Sequence, residues 1–166
     1  LYVRRGVPII PLFSGGYQEN ERRPGTENLL GIVGFGKAVD ICDLREMDQV
    51  KLMRDRLVSD CHDEGYIINS NLDVTLPNTL NISIPHVSNT LLSSYLETEG
   101  ICISTGSACN TGSIMPSHVI QAIGGIPETA IRISLSKYNT MEEVELFLGA
   151  LKFNVARIRS VSNDLP

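Results

Sequence analysis

One cysteine, Cys109, lies in a stretch made otherwise of Ser, Thr, Gly, Ala and Asn, the run Ser104-Thr-Gly-Ser-Ala-Cys-Asn-Thr-Gly-Ser113. Small residues and two glycines favour an exposed, flexible loop, because none of these side chains anchors a hydrophobic core. A thiol in a core is inert, whereas a thiol on an exposed polar loop can react. The run therefore predicts a nucleophile on a segment that moves. A surface loop with an incidental cysteine is the alternative that these residues leave open.

An arginine inside a strand-like stretch is the second residue with possible chemistry. Arg132 lies between Ile131 and Ile133, so its side chain is expected on the opposite face of the sheet. A guanidinium there needs a partner, and its planar fork binds a carboxylate through two hydrogen bonds. The residues alone allow a bound carboxylate ligand or a salt bridge to an internal Asp or Glu, and they favour the salt bridge.

Thr26 is the third candidate, because it follows Gly25 at the start of a helical stretch. A hydroxyl at a helix N-terminus suits an anion such as phosphate. The same hydroxyl can act as the helix N-cap and nothing more. Both roles use the same end of the helix, so the pattern alone does not separate them.

The other cysteines and the histidines predict no metal site, because the sequence contains no C-x-x-C pair and the histidines do not cluster with the cysteines. Cys42 and Cys61 fall in helical stretches and are expected to be structural or partly exposed, and Cys102 is expected to be a buried strand thiol. His118, two residues after Pro116, is expected on a helix surface or in packing rather than as a base. Reduced thiols without a secretory signal predict a cytoplasmic protein.

Composition indicates an ordinary globular domain and argues against two classes of partner. The 166 residues, 42% hydrophobic and 20% charged, suit one domain with an extra segment at the front. A net charge of −5 argues against nucleic acid, which needs a basic face. No apolar run approaches the ~18 residues of a membrane span, so no membrane partner is predicted.

Hydrophobic spacing predicts short strands among helices. The expected strands are 1–5, 66–69, 79–84, 101–103 and 130–135. The expected helices are 28–41, 44–62, 88–99 and 116–123, and a last one that Thr140 caps with Glu143 in a capping box, before a frayed tail from Ser160. The buried stripe of the second helix is expected to be Leu52, Met53, Leu57 and Val58. This order predicts an α/β or α+β domain with a small sheet packed on helices.

Several motifs in register resemble one enzyme family. They are Ser14-Gly-Gly-Tyr-Gln-Glu19, Arg23-Pro-Gly-Thr-Glu-Asn28, Ser104-Thr-Gly-Ser-Ala-Cys109, Pro116-Ser-His-Val119 and Ala130-Ile-Arg-Ile-Ser-Leu135. In this order they resemble the C-terminal part of cysteine desulfurases, which belong to the class V aminotransferase group of pyridoxal-phosphate enzymes. The resemblance covers about residues 1 to 155. It implies the C-terminal part of a fold-type I pyridoxal-phosphate-dependent transferase.

The resemblance also implies domain boundaries and an incomplete catalytic machinery. Residues 1–27 would end the large cofactor domain, 28–158 would form the small domain, and 159–166 would be the tail. Residue 1 is Leu and the first residues read as a strand already under way, so we expect a longer protein. In the family the lysine that carries the cofactor precedes such a strand, and this chain alone is therefore expected to be inactive and to bind no cofactor stably.

For single residues, the resemblance implies three roles. Cys109 matches the nucleophile that takes sulfur from L-cysteine as a persulfide, leaves alanine and hands the sulfur to an acceptor protein for iron–sulfur cluster or thio-cofactor assembly. Arg132 matches the residue that binds the substrate carboxylate. Thr26 matches a threonine that contacts the phosphate of pyridoxal 5'-phosphate in the neighbouring subunit, which implies a homodimer.

Two other functions remain open at the level of sequence. A selenocysteine lyase shares most of these motifs, and a standalone persulfide carrier would accept sulfur on Cys109 without releasing it from cysteine. The chain also departs from the family pattern, since Tyr17 replaces a usual Gly and Ser136-Lys137 replaces a common Gly-Arg pair. Lys137 keeps the positive charge but loses the planar fork of an arginine.

Overall fold

A computed structural model describes residues 1–105 and 117–163. The chain divides into two compact units, Leu1–Cys42 and Asp43–Pro166. The boundaries expected from sequence, after residues 27 and 158, concern domains of a longer protein and stay a prediction.

The first unit is mostly irregular until its long helix. The strand predicted at 1–5 is wrong: this segment forms a turn, in which the Val7 amide donates to the Arg4 carbonyl at 3.2 Å and Gly6 has a φ of +88°. A four-residue turn, α1 (Gln18–Glu21), follows within the polar loop; Glu19, Asn20 and Glu21 have positive φ there, so it is not a regular right-handed helix. Helix α2 (Leu29–Asp40) comes next as predicted. A short apolar run becomes a strand only with a partner to pair with, which is why local pattern misassigned the first residues.

The second unit is built from a small sheet and the helices around it. In chain order its elements are α3 (Glu46–Asp63), β1 (Ile67–Ile68), β2 (Thr79–Ser83), α4 (Asn89–Thr98), α5 (His118–Ala122), β3 (Ala130–Ser134) and α6 (Met141–Asn163). The strands lie in the order β1-β2-β3 and all pair antiparallel. The predicted α/β class, with a small sheet packed on helices, is confirmed. The strand predicted at 101–103 is wrong, because only Ser104 forms an isolated bridge there.

The core of this unit lies between one face of the sheet and three helices. Leu80 and Ile82 of β2 and Ile131 and Ile133 of β3 are buried, and α3, α4 and α6 supply most of the remaining apolar side chains. Helix α6 packs against both α3 and α4. Because successive strand residues point to opposite faces, burying this face leaves a second, more polar face, on which the candidate site is found.

The buried stripe of α3 differs from the predicted one. Met53 and Leu57 are buried as expected, but Leu52 is 65% exposed. The stripe instead continues through Val50 and Cys61, which lie three or four residues from the buried members, as residues on one helix face do. Leu52 is one position away from Met53, and therefore about 100° around the helix.

Helix α6 begins as predicted and ends later than predicted. The Thr140 hydroxyl accepts from the Glu143 amide at 3.3 Å, and the Glu143 carboxylate accepts from the Thr140 amide at 3.1 Å, so the capping box is confirmed. The tail expected to fray from Ser160 is helical through Asn163. Ile158 is buried, so the inward stripe of α6 extends close to this end and holds the last turns. Within the described residues, no helix has the length and apolar character needed to cross a membrane.

Candidate functional site

Arg132 occupies the middle of β3, on the face of the sheet that the core does not cover. Ile131 and Ile133, on either side, are buried, whereas Arg132 is half-buried. The predicted orientation of the guanidinium, opposite to the two isoleucines, is therefore confirmed. The register places Asn81 of β2 directly across from Arg132, so the neighbouring position on this face is polar.

The partner of the guanidinium is a serine. Nη2 of Arg132 donates to Oγ of Ser104 at 3.0 Å. Among residues 1–105 and 117–163 the guanidinium makes no other side-chain hydrogen bond and no ion pair. The salt bridge to an internal Asp or Glu, which the residues alone favoured, is therefore not formed within this part of the chain. A guanidinium whose other N–H donors have no side-chain acceptor in the described chain is suited to a carboxylate ligand.

Ser104 is held against Arg132 by its backbone as well. The Ser104 amide donates to the Arg132 carbonyl at 3.1 Å, and the Arg132 amide donates to the Ser104 carbonyl at 2.8 Å. The two residues thus form an isolated antiparallel bridge at the free edge of β3. Sequence reasoning missed Ser104 as a partner of Arg132. The local pattern gives no signal for it, because the two residues are 28 positions apart.

The rest of the polar face is occupied by an amide and hydroxyl network. Nδ2 of Asn69 donates to Oδ1 of Asn81 at 2.7 Å and to Oγ of Ser83 at 2.9 Å. The Asn81 amide donates to Oγ of Ser70 at 2.9 Å. These groups bond to one another beside Arg132, so the strand that carries the guanidinium has a hydrogen-bonded polar neighbour.

Cys109, the predicted nucleophile, lies outside the described residues. The described chain stops at Thr105 and resumes at Ser117, the N-cap of α5, whose Oγ accepts from the Ile120 amide at 3.4 Å. His118 is exposed at the start of this helix, as expected for a residue on the helix surface. Ser104, the partner of Arg132, therefore stands five residues before the predicted nucleophile in sequence.

Of the two other described thiols of this unit, Cys102 differs from its prediction, whereas Cys61 fits the structural role expected for it. Cys102 is exposed rather than buried, because Ile101 and Ile103 on either side pack against the core and leave Cys102 facing outward. It lines a cavity of about 290 Å³. Cys61 is buried, and desolvation, with a smaller contribution from the neighbouring Asp60 carboxylate, raises the pKa of its thiol to about 12. Cys61 is therefore a core residue with an inert thiol.

Thr26 belongs to the first unit and is exposed. The helix that follows, α2, is capped by Asn28, whose Oδ1 accepts from the Gly31 amide at 3.1 Å. Thr26 is therefore not the N-cap, and the plain capping role is wrong. Its hydroxyl remains available two residues before the cap. A phosphate group needs hydroxyl and amide donors near a helix N-terminus, and Thr26 fits that requirement of pyridoxal phosphate.

Within the described part of the chain no His, Cys, Asp and Glu side chains gather as a metal site.

Comparison with known proteins decides the family. The model of the aminotransferase class-V family matches residues 14–147. The chain belongs to this family. It is similar to the cysteine desulfurase IscS of Dictyoglomus turgidum, with 36% identity over 98% of this chain and 43% of that protein. The resemblance to cysteine desulfurases seen in the motifs is thus confirmed.

Two solved structures share the fold of this chain. A NifS-like protein superposes with a TM-score of 0.77 at 38% identity, over 93% of this chain and 41% of its own. A second structure, SspA in complex with cysteine, has a TM-score of 0.54 at 30% identity, over 80% of this chain and 37% of its own. The chain thus spans less than half the length of these relatives. What they have in common with it is therefore one part of a larger family fold.

Proposed function

We propose that this chain is part of a cysteine desulfurase that converts L-cysteine to L-alanine and retains the sulfur as a persulfide on Cys109. The family and the names of the relatives support this reaction class. The observation that carries the proposal is the half-buried Arg132, which has no carboxylate partner among the described residues and lies on a polar face of the sheet. An amino-acid substrate supplies the missing carboxylate.

In this proposal Arg132 binds the substrate and Cys109 reacts with it. The guanidinium binds the carboxylate of L-cysteine through two parallel hydrogen bonds and thereby fixes the direction of the substrate thiol. Pyridoxal phosphate, when bound, withdraws electrons and weakens the carbon–sulfur bond. The Cys109 thiolate forms a bond to the substrate sulfur while the carbon–sulfur bond breaks. The carbon that loses sulfur takes a proton, and alanine leaves.

Thr26 has a role in holding the cofactor in this proposal. Its exposed hydroxyl, two residues before the cap of α2, donates to the cofactor phosphate of a neighbouring subunit. The active protein is then a homodimer, and the lysine that carries the cofactor lies in the remainder of the enzyme. The persulfide passes to a sulfur-acceptor protein for iron–sulfur cluster or thio-cofactor assembly. Free thiols at Cys42, Cys61 and Cys102 are in keeping with a reducing, cytoplasmic setting.

The test of this proposal compares two cysteines of the same segment. The full-length enzyme, loaded with pyridoxal phosphate, is incubated with L-cysteine, and alanine and protein-bound persulfide are measured. Cys109→Ser should abolish both products, whereas Cys102→Ser, which removes an exposed thiol seven positions away, should leave both unchanged. If Cys109 takes up sulfur from an added persulfide but never from L-cysteine, the protein is a persulfide carrier and not a desulfurase. If Cys102→Ser loses alanine and persulfide formation as fully as Cys109→Ser does, the assignment of Cys109 as the nucleophile is wrong.

The role of Arg132 is tested separately by a substitution that keeps the positive charge and removes the planar guanidinium. Arg132→Lys should raise KM for L-cysteine by roughly ten- to a hundredfold, because an ammonium cannot form the bidentate pair. The change in kcat should be smaller, since the guanidinium acts on binding and orientation. An unchanged KM would mean that the carboxylate is bound elsewhere.

A further inference from the structure

Ser104 and Arg132 are joined by a side-chain hydrogen bond as well as by the backbone hydrogen bonds of a strand pair. The two residues exchange both backbone hydrogen bonds, at 3.1 and 2.8 Å. Residues paired in this way across antiparallel strands have their side chains on the same face. The hydroxyl of Ser104 therefore lies on the face of the guanidinium, and the 3.0 Å bond from Nη2 closes the unit.

This bond leaves the guanidinium able to bind a carboxylate. Nη2 carries two hydrogens, one on the edge shared with Nε and one on the edge shared with Nη1. Whichever hydrogen Ser104 accepts, the other edge keeps two parallel donors. The bond thus restrains Nη2 of the guanidinium without using up the fork that a carboxylate needs.

No other described side chain makes a hydrogen bond to the Arg132 guanidinium. Asn81, directly across in the register, has its Oδ1 occupied by Nδ2 of Asn69 at 2.7 Å. Among residues 1–105 and 117–163, Oγ of Ser104 is the single side-chain acceptor of the guanidinium. Without it, a long side chain with large rotamer freedom would have to be ordered by the substrate itself.

We propose that Ser104 is a positioning residue that holds the Arg132 guanidinium in the orientation that receives the substrate carboxylate. This inference rests on the proposed function of Arg132. Ser104 thereby determines how strongly the enzyme prefers a thiol substrate with a carboxylate over one without it. Its backbone bonds to β3 do not depend on the hydroxyl, so removing Oγ alone separates orientation of the guanidinium from the local fold.

The experiment uses the full-length enzyme with pyridoxal phosphate and three variants. Ser104→Ala should raise KM for L-cysteine about tenfold, the effect of one hydrogen bond to a charged group, with kcat changed less than about twofold. Ser104→Thr keeps the hydroxyl and should restore KM. Ser134→Ala removes an exposed hydroxyl from the same strand and the same face, two residues from Arg132, and should change neither value.

Inhibition by cysteamine, which is cysteine without its carboxylate, supplies a readout that a general loss of structure would not imitate. Ser104→Ala should leave inhibition by cysteamine unchanged while it weakens binding of L-cysteine. If Ser104→Ala weakens the binding of cysteamine and of L-cysteine to the same extent, or if Ser104→Thr fails to restore KM, the positioning role is wrong. Failure of the proposed function looks different, because the wild-type enzyme would then form no alanine from L-cysteine. If Arg132→Lys has no effect on KM while wild type is active, the inference about Ser104 is wrong together with the role of Arg132.

Discussion

Asp60 offers the sharpest test of how this unit is held together. Its carboxylate is buried on α3, with 3% of the residue exposed. Oδ1 pairs with Nζ of Lys152 on α6 at 2.7 Å and with Nη1 of Arg56 at 3.5 Å. Oδ2 is buried and has no hydrogen-bond partner among the described residues. We expect Asp60→Asn, which keeps the shape and removes the charge, to destabilise the chain.

The magnitude follows from the two oxygens. At Oδ1 the contacts from Lys152 and Arg56 then join a cation to a neutral amide instead of a carboxylate, and the weaker attraction costs about 1 kcal/mol for each. At the Oδ2 position an unpaired buried oxygen is exchanged for an unpaired buried N–H₂ group, so this position adds little to the difference. The free energy of unfolding should therefore fall by about 2 kcal/mol in total.

Urea denaturation followed by far-UV circular dichroism measures this change. With a slope of about 2 kcal/mol per molar urea, the midpoint should fall by about 1 M. Asp63→Asn on the same helix removes an exposed carboxylate and should stay within about 0.5 kcal/mol of wild type. The cost at Asp60 should persist at roughly 0.5 M salt, because desolvated pairs are screened little. If the two variants shift the midpoint equally, Asp60 is not a buried, paired carboxylate and the reasoning fails.

Three further predictions concern single positions of the second unit. Both Gly65 and Gly149 have space for a Cβ, but Gly65 has a φ of +70° whereas Gly149 lies inside α6. In the same urea assay, Gly65→Ala should therefore destabilise the chain by about 1 kcal/mol and Gly149→Ala should stabilise it by about 0.5–1 kcal/mol. Changes in the free energy of unfolding that have the same sign in both variants would contradict this. Burial raises the pKa values of Cys61, from 9.0, and of Tyr66, from 10.0, each to about 12, so the unfolded chain loses these protons first. Stability should therefore fall as pH rises from 9.0 toward 12, and Cys61→Ala with Tyr66→Phe should flatten that fall in urea titrations across this range. Iodoacetamide near neutral pH should modify the exposed Cys102 and spare Cys61 in peptide mass mapping, and modification of both at equal rates would show that Cys61 is not buried.

Much of the fold could be predicted because its signals are local. Helices α2, α3, α4 and α6 appear close to their expected bounds, since spacing, caps and terminal glycines act within a few residues. The strand at Ala130–Ser134 and the outward direction of Arg132 also followed from alternation. For the candidate site, residue types predicted the guanidinium but favoured the wrong partner for it.

The errors occurred where a distant partner decides the outcome. Residues 1–5 and 101–103 read as strands but do not form them, because a ladder depends on what lies beside the segment. Leu52 and Cys102 were expected to be buried and are exposed, since a periodic pattern gives the spacing of a face but not its direction. Capping by Thr26, one of the two roles left open for it, is excluded because Asn28 caps that helix two residues later.

By itself, the sequence determined the family, the chemistry that Cys109 and Arg132 are suited to, and the order of helices and strands, because each depends on residue types or on neighbours a few positions away. Only the tertiary structure decided that Arg132 has a serine and not a carboxylate beside it within the described chain. The bond to Ser104 joins residues 28 positions apart. Contacts over such distances are set by how the segments pack around the core, and local propensity carries no information about them.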